Sequence, residues 1–255
     1  MKGVKSLVNT MSVPVFWLAV WQVLSMAVNS SLLLPGPGTV LLRLGELAVS
    51  LPFWHSTAAS LLRILCGAVV AVALGTALAA GCCRFSLLDR LLTPLLSTVR
   101  STPVASFIIL LLIWIGRDVL PAVIVILMVL PVVWANVCAG IRNTDSLLLR
   151  TARVFRFPPL RTLRRVYIPS VMPHFLSACR TSLGLAWKSG IAAEVLTVPA
   201  VSIGKMLYES KLYLETVDLF AWTVVVILCS LVIEKVLMAA IGRLGKAYAV
   251  GGEET

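Results

Sequence analysis

The chain has 255 residues, of which 59% are hydrophobic and only 13% charged, against about 25% charged in soluble domains, and its mean hydropathy of +0.99 excludes an ordinary soluble globular protein. The net charge of +11 would suit nucleic acid only if Lys and Arg formed an exposed face or stripe. Here they flank apolar runs, the arrangement that sets topology in a membrane, so an all-α integral membrane protein is expected.

A bilayer core about 30 Å thick needs roughly 20 mainly apolar residues per helix. About six such runs follow one another, at 12–34, 57–83, 87–116, 119–141, 175–198 and 217–241. They leave 142–174 as a long connecting loop and little for a soluble domain, so 1–255 reads as one membrane domain. The first run follows Lys2 and Lys5 and resembles a secretory signal ending near Ala27, but it is long for one, and an uncleaved span is expected. Pro35, Gly36, Pro37 and Gly38 then break the helix, and "TVLLRLGELAVSL" resumes an amphipathic pattern that suits a short helix on the outer surface. The second run spaces Ser60, Gly67, Gly75 and Ala79 among larger residues, which lets helices approach closely in lipid and predicts a buried position. In the third, Pro94 and Pro103 flank Ser97, Thr98, Arg100, Ser101 and Thr102. A break or kink is expected there, tolerated at membrane depth only when packed in protein or lining a wet cavity; an interfacial lead-in to the helix fits equally well.

Lys and Arg in short loops stay on the cytoplasmic side. With the N-terminus inside, six crossings place inside the loop of Arg84, Arg90 and Arg100, the segment Arg150 to Arg165, and the tail with Arg243 and Lys246. The outer loops carry Arg43, Glu46, Arg117, Asp118, Lys205, Glu209, Lys211, Glu215 and Asp218, a mixed set. Both termini are therefore expected in the cytoplasm.

Catalysis has little to work with. His55 and His174 stand apart from any metal-ligand spacing, no GxxxxGK[ST] phosphate loop occurs, and Cys66, Cys82, Cys83, Cys138, Cys179 and Cys229 lie in or beside apolar runs without disulfide or zinc spacing. No catalytic residue, metal or cofactor is assigned to the chain. The ionisable residues within spans are Arg63, Arg180, Lys188, Glu194, Glu234 and Lys235, each costing about 2.5–3.5 kcal/mol at a helix centre unless paired or wet. Glu234, Lys235 and Arg180 lie near the inner surface. Lys188 and Glu194 are six residues apart, on different faces of one helix, so their partners must come from elsewhere. Pairing between helices is one reading. The other makes Arg63, Arg100, Lys188 and Glu194 contributors to a translocation path for an anion.

"RTARVFRFPPLRTLRRVYIPSVMPH", from Arg150 to His174, carries six Arg residues between two spans. Arg150, Arg153 and Arg156 recur every three residues, which on a helix makes one cationic strip, with Pro158 and Pro159 expected to end it. Pro169 and Pro173 mark the return to the membrane. A short cytoplasmic helix over Arg150, Thr151, Ala152, Arg153, Val154, Phe155, Arg156 and Phe157 suits docking in a groove of a soluble partner; a loop that only fixes topology would explain the charge but not the prolines.

This segment resembles the cytoplasmic loop of the permease subunits of bacterial ATP-binding-cassette importers of the nitrate, sulfonate and taurine type. That loop reads approximately EAAxxLGAsxxxxFxxVxLPxxxP, with Ala152, Val166, Pro169 and Pro173 on the pattern. Arg150 stands where Glu is usual, Thr151 where Ala is usual and Arg156 where the turn glycine is usual, which implies an acidic groove on the partner. The resemblance extends to Trp21 and Pro35 in the first helix and its Leu-Pro-x-Pro turn, to Arg63, Gly67 and Gly75 in the second helix, to the proline-broken third ending in Trp114 and Gly116, and to "LGLAWKSGIAAEVL" and "SIGKML". It implies a pair of permeases, two cytoplasmic ATPase subunits that hold the ATP and Mg, and an external solute-binding protein, in the bacterial inner membrane. It implies alternating access, with ATP-driven motion transmitted through Arg150 to Phe157. The family spans nitrate, bicarbonate-like and organosulfonate anions, and in other branches vitamin precursors or aromatic solutes. A secondary transporter driven by an ion gradient is the alternative; it would usually show embedded acids and internal repeats, whereas Glu194 is the one mid-span acid and no repeat is evident.

Overall fold

The computed structural model describes residues 2–250, with side chains over 13–240 and at 242. Lys2, Lys5, Arg243 and Lys246, part of the basis for the expected inside termini, have side chains outside this range. Among the described residues all regular structure is helical: α1 (Lys2–Val28), α2 (Pro37–Val49), α3 (Leu51–Arg84), α4 (Ser86–Ser101), α5 (Val104–Leu111), α6 (Leu120–Arg142), α7 (Ser146–Val154), α8 (Pro159–Thr162), a π-helical turn (Leu163–Tyr167), α9 (Ile168–Thr197), α10 (Ile203–Leu212) and α11 (Thr216–Val250). Prolines punctuate them. Pro37, Pro52, Pro121, Pro159 and Pro169 occupy the first turns of α2, α3, α6, α8 and α9, where an N–H would have no helical partner anyway.

The predicted runs correspond to helices with shifted limits. α1 stops at Val28 rather than at 34, because Asn29 turns left-handed at φ 47° and Leu32 to Leu34 belong to a turn. That turn folds back on α1 through Trp21 Nε1 donating to the Pro35 carbonyl (3.1 Å) and Ser25 Oγ to that of Leu34 (2.9 Å). The second span, placed at 57–83, is the larger part of a 34-residue helix that begins at Leu51. The third is broken as expected: α4 and α5 meet at 103° across Thr102 and Pro103. Pro94 lies inside α4 without breaking it, and at the bend Thr102 donates both its N–H (3.1 Å) and its hydroxyl (2.8 Å) to the Thr98 carbonyl, which satisfies the backbone at the break. The fifth run was placed at 175–198, but α9 starts at Ile168 and continues the helical path that begins at Pro159. Pro169 has no N–H to give back to the preceding turn, and the wider π turn falls immediately before it.

Among the described residues, Leu51–Arg84, Leu120–Arg142 and Thr216–Ala240 are each long and apolar enough to cross a membrane, and the α4–α5 pair adds a fourth if counted as one broken span. α9 has 30 residues and a length of about 45 Å, but carries Arg180, Lys188 and Glu194. The described apolar part of α1 is Val13–Val28.

α6 is the centre, with α3 and α9 packed along it. Close approach explains why α3 carries small residues at helical spacing. A Cβ on Gly67 would lie 2.9 Å from the Ala122 carbonyl oxygen, and one on Gly75 3.0 Å from that of Leu130. Ser60, Ala71 and Ala79 are fully buried on the same face. α9 does likewise: Ala178, Ser182, Ala186 and Ala193 are buried, and a Cβ on Gly190 would meet Ile64 at 2.6 Å. Val125, Val129, Val133 and Val137 of α6 fill the seam. In lipid such packing, not exclusion from water, holds helices together. α2 is tied to α11 by Arg43, whose Nε and Nη2 bind the Asp218 carboxylate at 2.6 and 2.9 Å. Glu46 takes a third bond at 2.8 Å, and the two carboxylates, Asp218 foremost, hold the Arg43 proton more tightly than usual.

Candidate functional site: a polar lock and a capped cationic helix

Glu194, three residues before the end of α9, is fully buried and its carboxylate is saturated. Oε1 accepts from Arg63 Nη1 of α3 at 2.5 Å; Oε2 accepts from Ser60 Oγ at 2.6 Å and from the Gly204 N–H at 3.3 Å. Ser60 Oγ in turn accepts from the Ile203 N–H at 2.9 Å, and Arg63 Nη2 donates to the Val201 carbonyl at 3.2 Å. A buried charge pair is tolerable when further hydrogen bonds meet both partners, as Ser60 and Gly204 do for the carboxylate and Val201 for the guanidinium. The cluster pins α3 to both arms of the α9–α10 hairpin. A Cβ on Gly204 would collide with the Cβ and backbone of Glu194, so only glycine lets the two helices close on the carboxylate.

The hairpin turn is held at nearly every residue. Val198 sits left-handed at φ 48°, costly for a β-branched side chain, with its N–H on the Glu194 carbonyl at 2.9 Å. The Ala200 N–H binds Asp118 Oδ1 at 2.7 Å and the Ala200 carbonyl accepts from Lys205 Nζ at 3.2 Å. Strain of this kind persists when the surroundings over-determine it.

Arg63 and Glu194 are thus each other's partners, as pairing between helices requires, and Glu194 offers no surface to a solute in this conformation. Lys188 and Arg100 are placed otherwise. Ser177, Thr181, Gly184 and Lys188, spaced 4, 3 and 4 apart, lie on one exposed face of α9, opposite its buried small residues. Arg180, Lys188 and Glu234 line one cavity of about 290 Å³ between α9 and α11, with no ion pair joining them among the described residues. An exposed polar stripe on a membrane helix is costly against lipid. Arg100 is exposed in the last turn of α4, beside the bend.

At the opposite end, Arg142 Nη2 binds Asp89 Oδ1 at 2.8 Å, joining the end of α6 to the start of α4. α7 follows. It begins at Ser146 rather than Arg150, because Asp145 caps it by accepting from the Leu147 N–H at 2.7 Å. It ends at Val154 rather than Phe157, and not at the prolines. The Phe157 N–H bonds the Ala152 carbonyl (2.9 Å) and the Arg156 N–H that of Arg153 (3.0 Å), the double closure of a Schellman cap. Arg156 therefore leaves the predicted strip: it is the left-handed cap residue, φ 51°, at the position where glycine is usual. Arg150, Thr151, Arg153, Val154 and Phe155 are exposed, and Ala152 alone of the predicted segment is buried. Val154 is 78% and Phe155 69% exposed, with Leu147 at 66% and Leu160 at 76%, so a cationic helix carries unburied apolar side chains. Arg161 stacks over the Phe157 ring at 5.5 Å.

Residues 71–249 match the sequence pattern of the family described as the binding-protein-dependent transport system inner membrane component. The chain belongs to that family. The permease is 27% identical over 215 residues to the putative aliphatic sulfonates transport permease protein SsuC of Bacillus subtilis (strain 168), covering 83% of this chain and 77% of that one. It is 26% identical over 230 residues to the taurine transport system permease protein TauC of Escherichia coli (strain K12), covering 88% and 83%. Among solved structures its fold resembles that of an amino acid ABC transporter (TM-score 0.61, 15% identity, 77% of this chain and 94% of that one) and of the inward-facing MetNI methionine transporter (TM-score 0.57, 16% identity, 76% and 93%). The matched region takes in α7, Lys188 and Glu194 and begins after Arg63. These relatives are named as transport permeases. Sequence reasoning missed Ser60, Val201 and Gly204 as parts of the lock. The glycine of "SIGKML" was visible, but the contact that demands it is not local.

Proposed function

We propose that the permease is the membrane subunit of an ATP-driven importer for a small anion of the sulfonate, taurine or nitrate kind. In this reading α1, α3, the broken α4–α5 pair, α6, α9 and α11 make six crossings of the bacterial inner membrane, with both termini and α7 inside. Two copies pair, two cytoplasmic subunits bind ATP and Mg, and an external binding protein delivers the solute. The relatives named for sulfonate and taurine transport support the solute class.

The observation that carries the reading is α7: a capped helix outside the bundle, cationic, with Leu147, Val154 and Phe155 exposed. An apolar patch ringed by charge on a helix between two spans is what a moving soluble partner can grip. Closure of the ATP-binding subunits pulls α7, and α6 and α9, which flank it in the chain, pass the motion into the bundle, a two-state rearrangement rather than chemistry. Lys188 and Arg100 supply the cations of the path, with the polar face of α9 turned to it. Arg63 and Glu194 hold the outer wall of the path through the lock rather than touching the solute.

Reconstitution into liposomes with the cognate ATP-binding subunits tests this. Uptake of a radiolabelled sulfonate that requires ATP and those subunits is the expected result, and Lys188→Ala slows it without releasing the subunits. Uptake driven by a proton or sodium gradient alone overturns the proposal.

A further inference from the structure

We infer that the permease binds an anionic phospholipid of the inner leaflet in a cavity at the cytoplasmic junction of α3, α6 and α9. The cavity holds about 550 Å³. Val137, Ile141, Val171 and Phe175 line it; Thr76, also in the lining, donates its hydroxyl to the Val72 carbonyl at 2.7 Å and so presents little polarity. From Thr76 to Arg84 the lining runs about 12 Å along α3, a length that suits an acyl chain. The mouth differs. Arg84, the last residue of α3, lines it together with Tyr167 of the π turn. Neither the Arg84 guanidinium nor the Tyr167 hydroxyl has a hydrogen-bonding partner among the described residues; Arg84 only rests on the Phe85 ring, 5.5 Å away. Arg164 and Arg165, exposed in the same π turn, add positive charge beside Leu163, another lining residue.

Charge complementarity selects the occupant. An apolar slot with a donor-rich cationic mouth, set where basic residues cluster at one end of a membrane bundle, fits a ligand with a hydrocarbon tail and a phosphate head. The cytoplasmic leaflet supplies such lipids, and basic pockets between membrane helices are where they lodge. The π turn helps to form the mouth, because its i→i+5 spacing puts Leu163, Tyr167 and Ile168 on one side, where all three line the cavity. A soluble phosphate would use the mouth alone, and a second copy of the chain would cover the cavity instead of filling it.

The test uses the purified full chain in detergent, with dioleoylphosphatidylglycerol and dioleoylphosphatidylcholine as probes, read by native mass spectrometry. Retention of phosphatidylglycerol over phosphatidylcholine is expected. Arg84→Gln lowers phosphatidylglycerol retention about fivefold, the worth of one cation at a charged membrane surface, and leaves phosphatidylcholine as it was. Ala80→Leu, and more strongly Ala80→Trp, fills the slot and reduces both, with the thermal midpoint followed to confirm folding and the leucine variant serving where tryptophan fails to fold. Three results overturn the inference: equal phosphatidylglycerol retention by wild type, Arg84→Gln and Ala80→Leu; competition by soluble sn-glycerol 3-phosphate, which makes the mouth a phosphate site; and retention confined to monomers, which makes the cavity an interface between copies.

Discussion

The two ends of the bundle are built on opposite rules. At the Glu194 end the main charges are answered within the chain: Arg63 by Glu194, Arg43 by Asp218 and Glu46, and the α9–α10 turn by Asp118, Arg63 and Lys205. At the α7 end Arg142 pairs with Asp89, but Arg84, Arg150, Arg153, Arg164 and Arg165 face no carboxylate among the described residues, and Val154 and Phe155 are unburied. The Glu194 end is closed on itself, whereas the α7 end leaves cations and apolar side chains without internal contacts, which is what the proposed function requires of a docking surface.

Substitutions should separate the two ends. The largest loss of stability is expected from Glu194→Ala, which strands Arg63 and leaves Ser60 and the Gly204 N–H unmet; losing one partner of a buried pair costs about 3–5 kcal/mol. Thermal unfolding in detergent measures it, and the double variant with Arg63→Met should recover part of the loss. Gly204→Ala should follow at about 1–3 kcal/mol, the range for overpacking, while Gly184→Ala, with open space around it, should instead stabilise by about 0.5–1 kcal/mol, as a helix-interior glycine replaced. Likewise, Arg156→Gly should stabilise the end of α7 by about 0.5–1 kcal/mol by removing a side chain from a left-handed position, read as slower amide exchange at Phe155 to Phe157. Smallest is Ser182→Ala. Its hydroxyl is buried without a partner, so its removal should be neutral or stabilise by up to about 1 kcal/mol.

Local chemistry was readable in the sequence and distant partners were not. The amphipathic run after Pro37 is α2, the small residues of α3 face α6, and the proline-flanked polar stretch bends, because each depends on spacing or on a missing N–H. The start of α7 was readable too, since Asp145 before Ser146 is an N-cap signal, yet counting arginines drew attention four residues too far along. That every third Arg makes one strip failed at Arg156, where backbone hydrogen bonds to Ala152 and Arg153 close the helix first; only the resemblance, through its usual glycine, marked that position. The Arg63–Glu194 pair joins residues 131 apart in the chain, and no spacing rule names such a partner. The π turn before Pro169 likewise reflects how the helix absorbs a lost bond, for which the sequence carries only the proline.

In the proposed function the α7 end serves a partner's grip rather than the permease's own stability. Arg150→Glu combined with Arg153→Glu tests it most directly, with the thermal midpoint of the purified chain and ATP-driven uptake in reconstituted liposomes measured on the same preparation. The account predicts an unchanged midpoint, because neither side chain has a partner among the described residues, together with loss of ATPase-subunit binding or of coupled uptake. A lowered midpoint with normal coupled uptake would contradict it.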